Sequence, residues 1–167
     1  LATLYIEVIR GTPLMVQMYF FYFLIPMVFP AFNTSANFSI IVALVLNSGA
    51  YMSEIIRSGI EAVDKGQTEA SRSLGLSSRQ TMFRIVLPQA IKNILPAMCN
   101  EFITIIKETA IVATFFGRDI MTAFKTVNGI MYLAIEPLVV AAMVYFVITF
   151  VLSKIVSAFE RRLKVSD

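Results

Sequence analysis

The stretch PLVVAAMVYFVITFVLS, residues 137–153, carries no charged side chain. With its flanks it reaches the roughly 20 residues that a bilayer crossing requires. A helix satisfies all of its backbone hydrogen bonds internally, so it can lie in lipid where an irregular segment cannot. Other long, largely apolar runs lie at 14–28, 38–60 and 87–112, and the span that contains 137–153 extends over 130–158. The expectation is an all-α, polytopic membrane helical bundle with four visible spans in a single domain, residues 1–167.

Composition supports this. Hydrophobic residues make up 57% of the chain and charged ones 15%, with mean hydropathy +0.76, well above a soluble domain. There is no histidine and one cysteine, Cys99, in an apolar stretch. A disulfide framework is excluded, and neither a metal site nor a cofactor is expected. The chain begins at Leu1 with no signal peptide, so an N-terminal piece is expected to precede it.

Residues 1–13 read as an amphipathic lead-in closed by Arg10-Gly11-Thr12-Pro13, with Thr12 placed to cap the first span and Pro13 in its first position. That span has Gln17 as its only strongly polar member, and its outer end holds Pro26 and Pro30. After a short uncharged connector, 31–37, the second span carries Asn47, Tyr51, Glu54 and Ser58 at helical spacing. The third contains Lys92, Glu101, Lys107 and Glu108. Asn93, Asn100, Thr104, Lys107 and Ile111 fall near one face, with Ile91, Ile94, Leu95, Met98, Phe102 and Ile105 on the other. A polar face in so apolar a chain is expected to line a bundle interior or a wet cavity; the alternative is that its charges snorkel or pair as structural glue. Residues 114–129 are too short an apolar run to cross and read as an interfacial helix.

Between the second and third spans lies a polar island, EAVDKGQTEASRSLGLSSRQTMFRIVLPQA, residues 61–90. It reads as two short helices and a corner. Asp64 with Gln67 and Ser77 with Gln80 have the spacing of capping boxes, and Gly75 suits a left-handed helix stop. Lys65, Glu69, Arg72, Arg79 and Arg84 keep the island out of lipid. Ala70, Leu74, Leu76, Met82 and Phe83 give it an apolar side that suits another protein; an ordinary loop with two surface helices is the plainer reading. Basic residues concentrate in the island, in Arg10 and Arg57, and in the tail Arg161-Arg162-Leu163-Lys164, whereas the connector 31–37 has none. The excess places both visible ends and the island in the cytoplasm.

The island resembles the cytoplasmic coupling loop of bacterial ABC importer permeases, whose pattern is Glu-Ala-Ala, three residues, Gly, then Ile-x-Leu-Pro. Glu69, Ala70, Gly75, Ile85, Leu87 and Pro88 match, with Ser71 for the second Ala. RGTPLMVQ at 10–17, AYMSEIIRSGI before the loop and NEFITIIKETAI at 100–111 are similar to the branch that imports polar amino acids of the histidine, arginine, glutamine and glutamate type. Lys107-Glu108-Thr109-Ala110 departs from that branch's usual Lys-Asp-Thr-Ser. The resemblance implies a type I ABC importer permease fold, with one further span before the lead-in, in a bacterial inner membrane. It also implies a coupling loop at 61–87 with Glu69, Ala70, Arg72, Gly75 and Leu76 facing a cytoplasmic ATP-binding subunit. The remaining partners are a second permease subunit, identical or paralogous, an external solute-binding protein and membrane lipid, with no nucleic acid. The chain has no GxxxxGK phosphate-binding loop, so ATP hydrolysis is expected on the partner.

For an amino acid substrate, Asn47, Asn100, Thr104 and Lys107 supply donors along the solute path, and Glu101, Glu108 and Glu136 supply negative charge. Lys107 is the candidate for the substrate carboxylate and Glu136 for its ammonium; the alternative is that the two neutralise each other structurally. A membrane-embedded transferase lacks the histidine and paired acids it would need, and a passive scaffold would need no polar face on the third span. A permease for methionine or an oxyanion is the alternative within the same fold.

Overall fold

The computed structural model describes residues 1–30, 36–115 and 117–164, with the side chains of 36 and 162–164 excepted. Among these residues every element is helical: α1 (Ala2–Arg10), α2 (Leu14–Val28), α3 (Ala36–Glu61), α4 (Lys65–Ser73), α5 (Ser78–Thr81), α6 (Leu87–Glu108), α7 (Ile120–Met131) and α8 (Ile135–Lys164). A π turn, Met82–Val86, joins α5 to α6, and a 3-10 segment, Thr109–Phe115, follows α6. The connector expected at 31–37 falls largely on 31–35, outside the described residues.

Two helices, over Asn37–Glu61 and Ile135–Arg161, are long and apolar enough on their own to cross a membrane. A third candidate is the pair α1 and α2, bent by 113°. Helix α2 alone has 15 residues, roughly 22 Å at 1.5 Å per residue, and falls short of a full crossing. Helix α6 has the length, 22 residues, but its charged and amide side chains leave it less apolar than those candidates.

Two apolar clusters hold these elements together. Met18, Ile40, Ala43 and Phe115 bring the 3-10 segment against α2 and α3, with the Phe115 ring 4.6 Å from that of Tyr19. At the other end of α3, Val63, Val86, Ala90 and Ile94 pack α6 against the island. Gly59 permits this approach, because a Cβ there would overlap the Ile94 side chain.

Several boundaries differ from those the sequence suggests. The second island helix does not stop before Leu87-Pro88; it continues through the π turn into α6. Pro88 lacks an N–H and its ring crowds the carbonyl four residues back, and the wider π turn just before it accommodates both. The third span leaves α-geometry at Thr109, short of 112. The helix expected at 114–129 begins at Ile120, and α8 begins at Ile135 instead of 130, because Tyr132 takes a left-handed φ of 58° that ends α7. Thr12 does not cap α2; its hydroxyl donates back to the Val8 carbonyl at 2.8 Å, tying off the end of α1. Asp64 caps α4 by accepting from the Gly66 N–H at 2.6 Å, yet no reciprocal bond from Gln67 forms. At Ser77 and Gln80 both halves of the box are present.

Candidate functional site

The island folds into a knob whose parts brace one another. Ser71, standing where the resemblance expects alanine, is buried and bonds the Thr81 hydroxyl at 3.1 Å, pinning α4 to α5. Gly75 turns the chain between them with φ of +88°, a conformation that side chains disfavour. Its Cβ position has nothing within 4 Å, so the requirement is conformational and not a lack of space. Arg72 donates from Nη1 to the Leu76 carbonyl at 2.6 Å and so closes the corner instead of projecting. Glu69 and Ala70 lie on the exposed surface, Leu74 is 82% exposed beside them, and Leu76 is half-buried. The outward face of the knob offers a carboxylate with no partner among the described residues, small side chains and one bare leucine. A groove of about 770 Å³ opens behind it, lined by Glu61, Val63, Lys65, Thr68 and Arg72 among others.

Next to the knob, charges on α3 are paired. Arg57 bonds Glu54 and, at 2.6 Å, Glu61, and Arg10 reaches Glu54 from α1 at 3.4 Å while lying 5.6 Å over the Tyr51 ring. The ladder anchors the lead-in to the end of α3 from which the knob springs. Higher up, Asn47 is 4% exposed and donates to Gln17 Oε1 at 3.0 Å. Gln17 Nε2 in turn donates toward the Ile9 carbonyl at 2.7 Å and the Thr12 carbonyl and hydroxyl at 2.9 Å. Those carbonyls stand at the α1–α2 bend, where helical partners run out.

On α6, Asn100 and Lys107 are exposed, and Glu101, Thr104 and Glu108 are half-buried. The Thr104 hydroxyl donates to the Asn100 carbonyl at 3.2 Å, a bond within its own helix. The opposite face differs from expectation: Ala90, Ile94 and Ile103 are buried, while Ile91 and Phe102 are exposed. Glu136 is exposed at the start of α8, where it lines a largely apolar groove of about 480 Å³ between α7 and α8. Neither Lys107 nor Glu136 takes part in an ion pair among the described residues. The structure thus gathers five of the seven path candidates on α6 and sets Asn47 and Glu136 on other elements.

Sequence reasoning overlooked Asp119, which caps α7 through the Met121 N–H at 3.1 Å and accepts from the Tyr145 hydroxyl of α8. The signal was an aspartate directly before an apolar helical run. It also passed over Lys125, whose Nζ donates to the Ala113 carbonyl at 3.1 Å. Nothing local in the sequence announces that bond.

Comparison with known proteins follows the same lines. Residues 1–165 match the family described as binding-protein-dependent transport system inner membrane component. The chain is 44% identical over 167 residues to the arginine transport system permease protein ArtQ of Bacillus subtilis, covering 100% of this chain and 76% of that protein. It is 36% identical over 164 residues to the glutamine transport system permease protein GlnP of Escherichia coli, covering 98% and 75%. A crystal structure of an amino acid ABC transporter with histidines superposes with a TM-score of 0.90 at 46% identity, over 96% of this chain and 74% of that one.

Proposed function

The chain belongs to the family of binding-protein-dependent transport system inner membrane components, and from that premise we propose that it receives the stroke of a separate ATPase subunit at residues 61–87 and converts it into passage of a polar amino acid beside α6. It is a transmembrane permease subunit of an amino acid ABC importer, a transport component of the membrane. ATP hydrolysis resides on the cytoplasmic partner, an external protein delivers the solute, and a second permease subunit completes the path. The knob and both ends of the chain face the cytoplasm.

The observation that carries this reading is the knob itself. Internally braced by Ser71, Thr81 and Arg72, it presents Glu69, Ala70 and Leu74 outward, with no partner for the carboxylate among the described residues. A stiff, partly apolar projection is suited to docking and to transmitting force. Along α6, Asn100, Glu101, Thr104, Lys107 and Glu108 give the solute a polar flank, and Glu136 adds a carboxylate on α8. The Asn47 amide is already committed to Gln17. Relatives named for arginine and glutamine support a polar amino acid, and they do not favour methionine or an oxyanion.

The test is uptake by the complete complex in proteoliposomes, with a panel of amino acids screened for stimulation of ATP hydrolysis. Polar amino acids are expected to stimulate. Gly75→Val and Glu69→Lys are expected to insert normally and to lose transport at least tenfold; normal uptake by both would overturn the docking role of the knob.

A further inference from the structure

Helix α7 contains no fully buried residue; Ile120, Met121 and Phe124 are half-buried. Polar ties gather at its N-terminal end. Asp119 caps the helix through Met121 N–H, accepts from the Tyr145 hydroxyl, and lies 3.4 Å from the Thr109 hydroxyl in the 3-10 segment that ends α6. Thr122 donates to the Gly117 carbonyl and Lys125 to the Ala113 carbonyl, stitching the same junction. Gly117 itself has no room for a side chain, since a Cβ would overlap Val112. One carboxylate therefore joins the end of α6, the start of α7 and the flank of α8.

The depth of this junction matters. Tyr145 lies roughly 15 Å along α8 from its start at Ile135, well inside the apolar length of that helix. Non-helical backbone at such a depth persists only where protein or a cavity covers it, and an ionisable group there is costly enough to point to a role. From the knob, residues 78–108 run as one helical rod through the π turn, roughly 45 Å long, and end at this junction.

We propose that Asp119 is the positioning residue that carries the motion of α6 into α7 and α8, so that the cytoplasmic knob and the far helical hairpin move as one lever. The inference rests on the transport reading above. Asp119 acts on the protein and not on the solute, by keeping three elements at a fixed mutual angle while the rod tilts.

The experiment uses the complete complex in lipid, in a Cys99→Ser background, with Val127→Cys on the exposed side of α7 as reporter. Maleimide labelling is compared in the nucleotide-free and vanadate-trapped states. The parent is expected to show at least a fivefold difference in labelling rate between the states. Asp119→Ala is expected to reduce this below twofold and to lower uptake at least tenfold, with basal ATP hydrolysis within twofold of the parent. Tyr145→Phe, which leaves the cap on α7 in place, is expected to reduce the difference by at least half, and it serves if Asp119→Ala does not assemble. A preserved labelling difference in either variant overturns the inference. A parent that transports without any difference at position 127 also overturns it, whereas a parent that neither responds nor transports overturns the transport reading instead.

Discussion

Replacing Gln17 with methionine separates a structural amide from a solute-binding one. Gln17 sits at 5% exposure with Nε2 serving the Ile9 and Thr12 carbonyls and Oε1 accepting from Asn47. Methionine keeps the volume and removes every one of these bonds. The Asn47 amide then remains buried without its partner, at about 1–3 kcal/mol. The loss is tempered because hydrogen bonds between membrane helices average about 0.6 kcal/mol and reach about 1.7. The two carbonyls at the α1–α2 bend lose a donor as well, so about 2–3 kcal/mol is expected for Gln17→Met and about 1–2 for Asn47→Ala, estimated from the same bond values. Because the pair share a bond, the double variant should cost less than the sum by about 0.6–1.7 kcal/mol. The assay is reversible unfolding of the purified complex in mixed micelles, with uptake measured on the fraction that remains folded. If Asn47→Ala leaves stability unchanged and instead raises the amino acid concentration needed for half-maximal uptake, Asn47 belongs to the solute path and the structural argument fails.

Three further outcomes are expected. Cysteines introduced as Ser35→Cys and Ser73→Cys in a Cys99→Ser background should label from opposite sides of the membrane; labelling of both from outside would reverse the orientation read from the basic residues. Gly59→Ala forces its new methyl into Ile94 and should lower stability by about 1–3 kcal/mol, with little loss if α3 and α6 can separate freely. Glu136→Gln and Lys107→Met should each raise the substrate concentration needed for transport while sparing assembly and basal ATP hydrolysis; restoration of uptake by the charge-swapped double variant would mark them as a structural pair formed in the assembly.

The local chemistry of the knob was open to reading because it is written in residue types with few uses. Gly75 at positive φ, Asp64 as a cap and Ser77 with Gln80 as a box all stand where spacing placed them. The faces of α6 were not legible in the same way. In water an apolar position implies burial, but a membrane helix carries isoleucine and phenylalanine equally well toward lipid, and Ile91 and Phe102 are exposed while Ile103 is buried. The departure from α-geometry at Thr109 had no warning either. The segment TAIVATF holds no glycine or proline, and its 3-10 turn is held by Phe115 packing on Met18 and by Lys125 reaching Ala113, contacts formed only after folding. The solute-path candidates were legible as a cluster on α6, whereas the commitment of Asn47 to Gln17 depends on a register between two helices that spacing within either one does not reveal.

Helix α8 has only 6% of its most apolar window buried against the rest of the chain. In an aqueous setting such a surface would demand a partner simply to escape the solvent. Hydrocarbon tails cover it as well as a protein can, so greasiness supplies no preference between a lipid and a neighbouring subunit. Recognition along this helix must then be a matter of contour, with a small exposed residue such as Ala142 setting how near another backbone can come. Substitutions there that change bulk while keeping apolar character, such as Ala142→Leu, should redistribute the chain between free and assembled populations without altering how readily it enters the membrane.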